Sequence, residues 1–218
     1  MRYIQNNFYF WIFPLNTNFK TISPMELREA NRLPQNKSIQ YRLSRGNIRY
    51  ALSKLFSINP LEVPLNSLPG NAPSLSNNFG YVSMSHCSDA LFVGWSKDKI
   101  GVDIERIDRK LVSTEIANRF FDENDILNLQ GLSEDLYKEG FLKIWVVKES
   151  LIKWQNGSLL KGLKEWEINE KSGTASHKKL KLNVNINNLR FLKWEIGIAS
   201  SAEIRAKDIS IELLNDRI

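Results

Sequence analysis

This sequence has a single cysteine, no long apolar run and no low-complexity segment. The 218 residues include one cysteine, Cys87, so no disulfide can form within the chain, which fits a reducing compartment. No apolar run approaches the roughly 20 residues that a helix needs to span a bilayer. The apolar segment 3–15 is interrupted by Asn6, Asn7 and Pro14, which favours a buried strand over a signal peptide. We therefore expect a cytoplasmic globular protein.

A basic tail is also missing, although the net charge of the chain is +6. Lysines and arginines are scattered along the sequence, so the excess positive charge is a property of the folded surface. A positive surface favours an anionic partner, which leaves nucleic acid, a membrane surface, a polyphosphate ligand and an acidic protein as candidates.

Helical periodicity is followed by strand-like runs in the first half of the chain. Apolar residues recur at helical intervals over 38–56, which predicts a long helix. A connection rich in proline and asparagine follows at 59–78. Three short runs separated by tight turns then predict an antiparallel meander, with strands at 79–86, 90–95 and 100–105.

The second half repeats this order loosely. Helices are predicted at 113–121 and 136–155, and Asn156–Gly157 is expected to end the second because glycine accepts the left-handed conformation. Strand-like segments follow at 165–168, 181–186, 189–200 and 209–213. Helix and then antiparallel strands, twice over, predicts an α+β fold with two lobes, 1–105 and 106–218.

The segment 101–105 reads Gly-Val-Asp-Ile-Glu and carries two acidic residues in alternation. In a strand, Val102 and Ile104 can face the core while Asp103 and Glu105 project together on the other side. Two carboxylates with Cα atoms about 7 Å apart suit a hard cation such as Mg²⁺. A half-exposed strand without any metal shows the same alternation, so both interpretations stay open.

Glu149 and Lys153 lie four residues apart in the predicted helix 136–155, so they share a face. An exposed ion pair of this kind is worth only about 0.3–0.5 kcal/mol and is ordinary on an amphipathic helix. The alternative is that Glu149 joins the strand carboxylates around Mg²⁺, which commonly bridges carboxylates to substrate phosphates, and that Lys153 neutralises a phosphate. Trp145 is expected to pack, anchoring the helix between the lobes.

Polar residues of the first half add possible phosphate contacts. Ser85 and His86 end the first strand of the meander, where a hydroxyl beside an imidazole can bind a phosphate or serve a structural role. Arg42, Arg45 and Arg49 form either a phosphate clamp, for which arginine is well suited, or a solvated helix face.

Four motifs in this order resemble the Sfp-type 4′-phosphopantetheinyl transferases. They are Val-Ser-Met-Ser-His at 82–86, Gly-Val-Asp-Ile-Glu at 101–105, Arg-Phe-Phe at 119–121 and Trp-x-x-Lys-Glu-Ser-x-x-Lys at 145–153. The second and fourth are specific when found together at this separation, and the resemblance covers residues from about 40 to 165. One departure is clear, because the family often has Gly-Lys-Pro before the Ser-His strand and this chain has Gly-Asn-Ala-Pro at 70–73.

The resemblance implies a pseudo-dimer of two α+β lobes, each a small antiparallel sheet packed with helices, with coenzyme A in the cleft between them. The implied Mg²⁺ ligands are Asp103, Glu105 and Glu149. The implied coenzyme A contacts are Ser85 and His86 at the 3′-phosphate, Arg42 or Arg45 beside them, and Lys153 at the other phosphates. The implied catalytic residues are Glu149 as general base, with Lys153 and Asp103.

The implied reaction moves phosphopantetheine from coenzyme A to a serine of an apo acyl carrier protein or peptidyl carrier domain. The acceptor helix of such a carrier is typically acidic, which agrees with the charge of +6, and an apolar contact for it is predicted within 111–132. We expect a monomer that binds neither nucleic acid nor membrane. Two alternatives are a basic nucleic-acid-binding module, with salt-sensitive binding, and a magnesium-dependent phosphoesterase that uses the same acids.

Overall fold

The computed structural model describes residues 6–15, 18–66, 68–76, 78–110, 114–157 and 162–214. Its helices are α1 (Pro24–Asn31), α2 (Gln35–Phe56), α3 (Thr114–Phe120), α4 (Glu123–Leu129) and α5 (Glu134–Gln155). Its strands are β1 (Phe8–Pro14), β2 (Leu65–Asn66), β3 (Ser74–Leu75), β4 (Tyr81–His86), β5 (Ala90–Ser96), β6 (Ile100–Arg106), β7 (Trp166–Asn169), β8 (Thr174–His177), β9 (Asn183–Phe191), β10 (Trp194–Ser200) and β11 (Ile211–Leu213).

Two main sheets carry the fold, and they confirm the α+β class. The first has the order β11-β1-β5-β4, in which β5 runs antiparallel and β11 parallel to β1. The second is antiparallel, with the order β6-β10-β9-β8-β7. A further pair, β2 and β3, forms a short ribbon. None of the described helices is both long and apolar enough to cross a membrane.

Alternation along the central strands shows how the layers are stacked. On β1, Phe8, Phe10 and Ile12 pack toward β6 and β10, while Trp11 and Phe13 pack toward α2. On the second sheet, the apolar residues of β6 and β10 join the core between the sheets, and the opposite face of both strands receives α5. The order of layers is therefore α2, first sheet, second sheet, α5.

The predicted three-stranded meander is wrong in its third strand. Strand β4 does pair with β5, but β6 leaves that sheet and pairs with β10 in the second one. The composition of the turn at Lys97–Asp98 fits both a hairpin and a connection between two sheets. It therefore could not show whether β6 pairs with β5 or leaves the sheet. The predicted division at residues 105 and 106 stays a prediction; the pairing adds that β6 lies in the second sheet and β11 in the first.

The long helices agree with the predicted 38–56 and 136–155, but the end of α5 differs in detail. The left-handed residue is Asn156, with φ of 59°, and not Gly157. Asparagine tolerates this conformation better than most residues. Helices α1 and α4 and strand β8 were not predicted, because each is too short to show a clear period.

Candidate functional site

Two glycines bring α5 directly onto the second sheet. A Cβ atom on Gly101 would lie 2.0 Å from the carbonyl oxygen of Ser150, and one on Gly197 would lie 2.2 Å from that of Val146. Only glycine permits such a close approach of helix to strand. Helix α5 therefore lies over the face of β6 that carries the acidic residues.

Lys153 gathers the predicted site residues around its ammonium group. Its Nζ donates to Asp103 Oδ1 at 2.6 Å and to Ser85 Oγ at 2.7 Å, and it lies 3.9 Å from Glu149 Oε2. The Ser85 hydroxyl also donates to Asp103 Oδ1, at 2.6 Å. Residues from β4, β6 and α5, up to 68 positions apart, thus form one cluster.

Glu105 lies at the other end of this cluster and forms an ion pair with Arg109. The guanidinium of Arg109 lies over the Trp145 ring, 5.1 Å from its centre. Trp145 itself packs on Phe120, Phe121 and Phe141, so its predicted packing role is confirmed, and its anchoring of the helix between lobes stays a prediction. Arg109 was not predicted, since a lone arginine in a connection follows no period.

The carboxylates of the cluster carry more negative charge than the nearby cations offset. Burial, followed by the charge of Asp103, raises the pKa of Glu149 to about 8. Burial is also the largest cause that raises the pKa of Glu105 to about 7, against the opposing effect of Arg109. A buried site with three acids and two cations favours an added positive charge.

The donor set fits a small hard cation, although the described carboxylates do not form an ion-binding geometry. Within the described ranges, no group of three or more His, Cys, Asp or Glu side chains is close enough to hold a metal ion. Lys153 occupies one oxygen of Asp103, and Arg109 occupies one of Glu105. The other oxygen, Asp103 Oδ2, is buried and accepts no hydrogen bond from the residues described. Carboxylate oxygens are what Mg²⁺ prefers, so the magnesium site stays a prediction that these residues fit.

A cleft of about 1360 Å³ opens beside the cluster. It runs between the loop 70–76, the first residues of β4, the turn between β5 and β6, and the C-terminal end of α5. Lys153 lines this cleft and also contacts the acids, so the cleft and the carboxylate cluster are continuous. The volume exceeds the roughly 300–1,000 Å³ of ordinary small-molecule pockets.

His86 lies at the end of β4, where its ring contacts Gln40 of α2. Burial, with the positive charges of Lys153 and Lys37, lowers the pKa of His86. The neutral ring is thereby favoured, and it donates a hydrogen bond from one nitrogen and accepts one at the other.

The arginines of α2 do not act as one clamp. Arg49 is buried, pairs with Glu26 at 2.7 Å and donates to two backbone carbonyls, so the suggestion that it binds phosphate is wrong. Arg42 stacks on Phe19, and Arg45 lies buried over a tyrosine ring. Neither Arg42 nor Arg45 is among the described residues that line the cleft, and their contact with coenzyme A stays a prediction.

Two of the sequence motifs meet in the core beneath α5. Lys148 is fully buried, and its ammonium forms ion pairs with Asp122 and Asp125 just after the Arg-Phe-Phe motif. Both aspartates also cap α4. The lysine of the Trp-x-x-Lys-Glu motif is therefore structural, and it fixes the helix that presents Glu149.

The comparison with a family model and the comparison with individual known proteins agree with each other. Residues 99–207 match the family model described as the 4′-phosphopantetheinyl transferase superfamily. The chain is 28% identical over 137 residues to the 4′-phosphopantetheinyl transferase ffp of Bacillus subtilis, covering 62% of this chain and 60% of that protein. It is 25% identical over 147 residues to the Sfp enzyme of Bacillus subtilis strain 168, with coverages of 66% and 65%. It is also 33% identical over 73 residues to gsp of Aneurinibacillus migulanus, with coverages of 34% and 30%.

The matched segments thus span less than two thirds of the length of each of these relatives. The family-model match covers half of the chain and includes the acidic strand β6, the motif helix α5 and the hairpin of β9 and β10.

Proposed function

Because this chain belongs to the 4′-phosphopantetheinyl transferase superfamily, we propose that it transfers the phosphopantetheine arm of coenzyme A to a serine hydroxyl of an apo acyl or peptidyl carrier protein. The observation that carries this proposal is the meeting of Asp103, Glu149 and Ser85 around Lys153, at the end of a cleft large enough for an extended ligand.

The acids of the cluster and Lys153 each have a part in the proposed reaction. The serine hydroxyl of the carrier attacks the phosphorus that bears pantetheine; a new P–O bond forms, and the diphosphate P–O bond breaks. Glu149 accepts the hydroxyl proton, and 3′,5′-adenosine bisphosphate leaves with the bridging oxygen. Lys153 places positive charge beside the phosphates. A magnesium ion held by Asp103, Glu105 and Glu149 would supply Lewis-acid stabilisation of the diphosphate charge.

The acceptor surface is proposed near α4 and the start of α5. Leu127, Leu132 and Leu136 are large apolar residues that are 59%, 40% and 55% exposed. The sequence prediction of an apolar contact within 111–132 agrees with the first two, while 111–113 lie outside the described residues. Exposed apolar side chains of this kind fit the apolar face of an amphipathic helix.

The test is mass spectrometry of apo carrier proteins incubated with the enzyme, coenzyme A and Mg²⁺. We expect the mass of phosphopantetheine to be added to the carrier, and adenosine bisphosphate to appear in equal amount. The Glu149→Gln variant should lose transfer because no group then accepts the proton, while its circular dichroism spectrum stays that of the wild type.

Two outcomes would argue for other functions. Cleavage of coenzyme A at the same rate without any carrier would favour a phosphoesterase. Retention of wild-type turnover by Glu149→Gln would remove the proposed base, even if transfer itself were observed.

A further inference from the structure

The charged side chains that line the described part of the cleft are all positive. Its described lining includes three lysines, Lys97, Lys99 and Lys153, and no aspartate or glutamate. Lys153 is already paired with Asp103 at 2.6 Å. Lys97 and Lys99 add two further positive charges to the lining of the cleft.

Both lysines stand on a turn with a fixed backbone. The turn joins β5 to β6, and the amide of Lys97 donates to the Asn7 carbonyl at 3.3 Å beside the end of β1. The next amide, that of Asp98, donates to the buried hydroxyl of Ser96 at 3.0 Å. The turn is therefore held by the first sheet and does not need to order when a ligand binds.

Lys99 is also held by its side chain. Its ammonium lies over the ring of Trp154, 4.5 Å from the centre, and both residues line the cleft. A cation over an indole face keeps its charge and remains able to donate hydrogen bonds on its other side. The Trp154 ring thus presents this ammonium group at the wall of the cleft.

Another segment of the lining, the loop 70–73, carries no lysine. The loop 70–73 lines the same cleft and reads Gly-Asn-Ala-Pro, whereas the family to which the sequence is similar often has a lysine there. A cleft that binds a phosphorylated ligand needs charge on at least one wall, and here that charge stands on the turn between the sheets.

We propose that Lys97 and Lys99 bind a phosphate group in the nucleotide half of coenzyme A and replace the charge that the loop 70–73 lacks. This inference depends on the proposed function, since it takes coenzyme A as the ligand of the cleft. Two ammonium groups on one short turn form charge-assisted hydrogen bonds to phosphate oxygens. Neither lysine touches the reacting atoms, so their role is in binding.

Titration calorimetry and steady-state kinetics test the inference with Lys97→Gln, Lys99→Gln and the double variant. One charge-assisted hydrogen bond lost per substitution corresponds to about a tenfold weaker Kd for coenzyme A. We expect KM for coenzyme A to rise in parallel and kcat to stay close to that of the wild type. Lys207→Gln, an exposed lysine outside the cleft lining, is the control and should bind as the wild type does.

Two further measurements distinguish loss of binding from a structural effect and identify the phosphate that is bound. Asn71→Lys, added to the double variant, should recover affinity, because Asn71 lines the same cleft and the substitution returns a positive charge to it. With 3′-dephospho-coenzyme A, a loss that disappears assigns the lysines to the 3′-phosphate, and one that persists assigns them to the diphosphate.

The inference and the proposed function fail separately. An enzyme that modifies carrier proteins, but whose double variant keeps the wild-type KM and Kd, overturns the inference alone. A wild-type protein that transfers nothing from coenzyme A overturns the proposed function.

Discussion

At the scale of single residues, the carboxylates of the cluster differ in how closely a cation approaches them. Asp103 has the ammonium of Lys153 at 2.6 Å, and Glu105 has the guanidinium of Arg109. Among the ion pairs of the described residues, Glu149 has the Lys153 ammonium alone, at 3.9 Å. Glu149 is therefore the acid whose negative charge is least compensated in a mostly buried position.

Removing that charge should stabilise the protein while it removes the activity. We expect Glu149→Gln to raise the free energy of unfolding by roughly 1 kcal/mol in EDTA at about pH 9, because Glu149, whose pKa is raised to about 8, is charged there and its repulsion from Asp103 and Glu105 is relieved. Mg²⁺ should raise the unfolding temperature of the wild type and not that of the variant. Thermal unfolding with and without the ion measures both effects, and a variant still stabilised by Mg²⁺ would contradict the assignment of Glu149 as a ligand.

Sequence reasoning reached the acids of the cluster and Lys153, but not Arg109 or the lysines beside the cleft. Asp103 and Glu149 belong to motifs with a strand or helix period, so their faces were predictable. Arg109 and the lysines of the turn at 97–99 stand in connections, where no period relates a side chain to a site. Ser85 was predicted as a phosphate contact, and its hydroxyl is hydrogen-bonded to Asp103, an interaction set by tertiary packing alone.

At the scale of elements, the position of α5 depends on the two glycines beneath it. We expect Gly101→Ala to lower the free energy of unfolding by several kcal/mol, since its Cβ would overlap the backbone of Ser150 and Trp154, and overpacking against backbone is costly. The same shift moves Lys153 away from Asp103, so transfer should fall even in the folded fraction. Gly157→Ala is the control: its Cβ would meet only ordinary contacts at 3.8 Å. Urea unfolding measures the free energy of unfolding of both variants. Equal values for the two would show that α5 is not in close contact with β6.

Helix α5 is also fixed from its other side by Lys148. We expect Lys148→Met to lower the free energy of unfolding by about 3–5 kcal/mol, because Asp122 and Asp125 are left buried without a counter-ion. Lys143→Met, on the same helix but with a side chain 42% exposed, should cost less than about 1 kcal/mol. If chemical denaturation gave both variants the same loss of free energy of unfolding, the buried ion pairs would not be what holds α4 against α5.

The long helices could be predicted from local sequence patterns, whereas the pairing of the strands could not. Helices α2 and α5 were predictable because 22 residues carry several periods of apolar spacing, and that signal is local. The pairing of β6 with β10 joins residues about 90 positions apart, such as Ile104 and Ile196. Such a pairing is decided by the core between the sheets, which no single segment encodes.

At the scale of the whole molecule, one aspartate joins the two sheets. Asp89, in the turn between β4 and β5, accepts from Arg106 at 2.6 Å, from Lys193 at 2.7 Å and from the Trp194 ring nitrogen at 3.0 Å. Arg106 belongs to β6 and Trp194 to β10, so the first sheet is held to the second through this carboxylate. Cys87 also donates to it, at 3.3 Å, and burial raises the pKa of that thiol to about 11, which suits a packing role rather than a reactive one.

Acid should loosen this connection between the sheets. Burial acts to raise the pKa of Asp89, but the hydrogen bonds from Lys193, Trp194 and Arg106 outweigh it and hold the pKa well below its usual range. A carboxylate with a depressed folded-state pKa contributes its full stability above the unfolded value, near pH 4, and loses it progressively as the pH falls further.

Asp89→Asn should therefore lower the free energy of unfolding at pH 7 by roughly 1–3 kcal/mol, since charged hydrogen bonds are lost. The gap in the free energy of unfolding between the variant and the wild type should narrow below about pH 4. Denaturant titrations at several pH values measure this gap, with the exposed Glu170→Gln as control. A gap that stayed constant down to pH 2 would mean that the charge of Asp89 does not hold the sheets together.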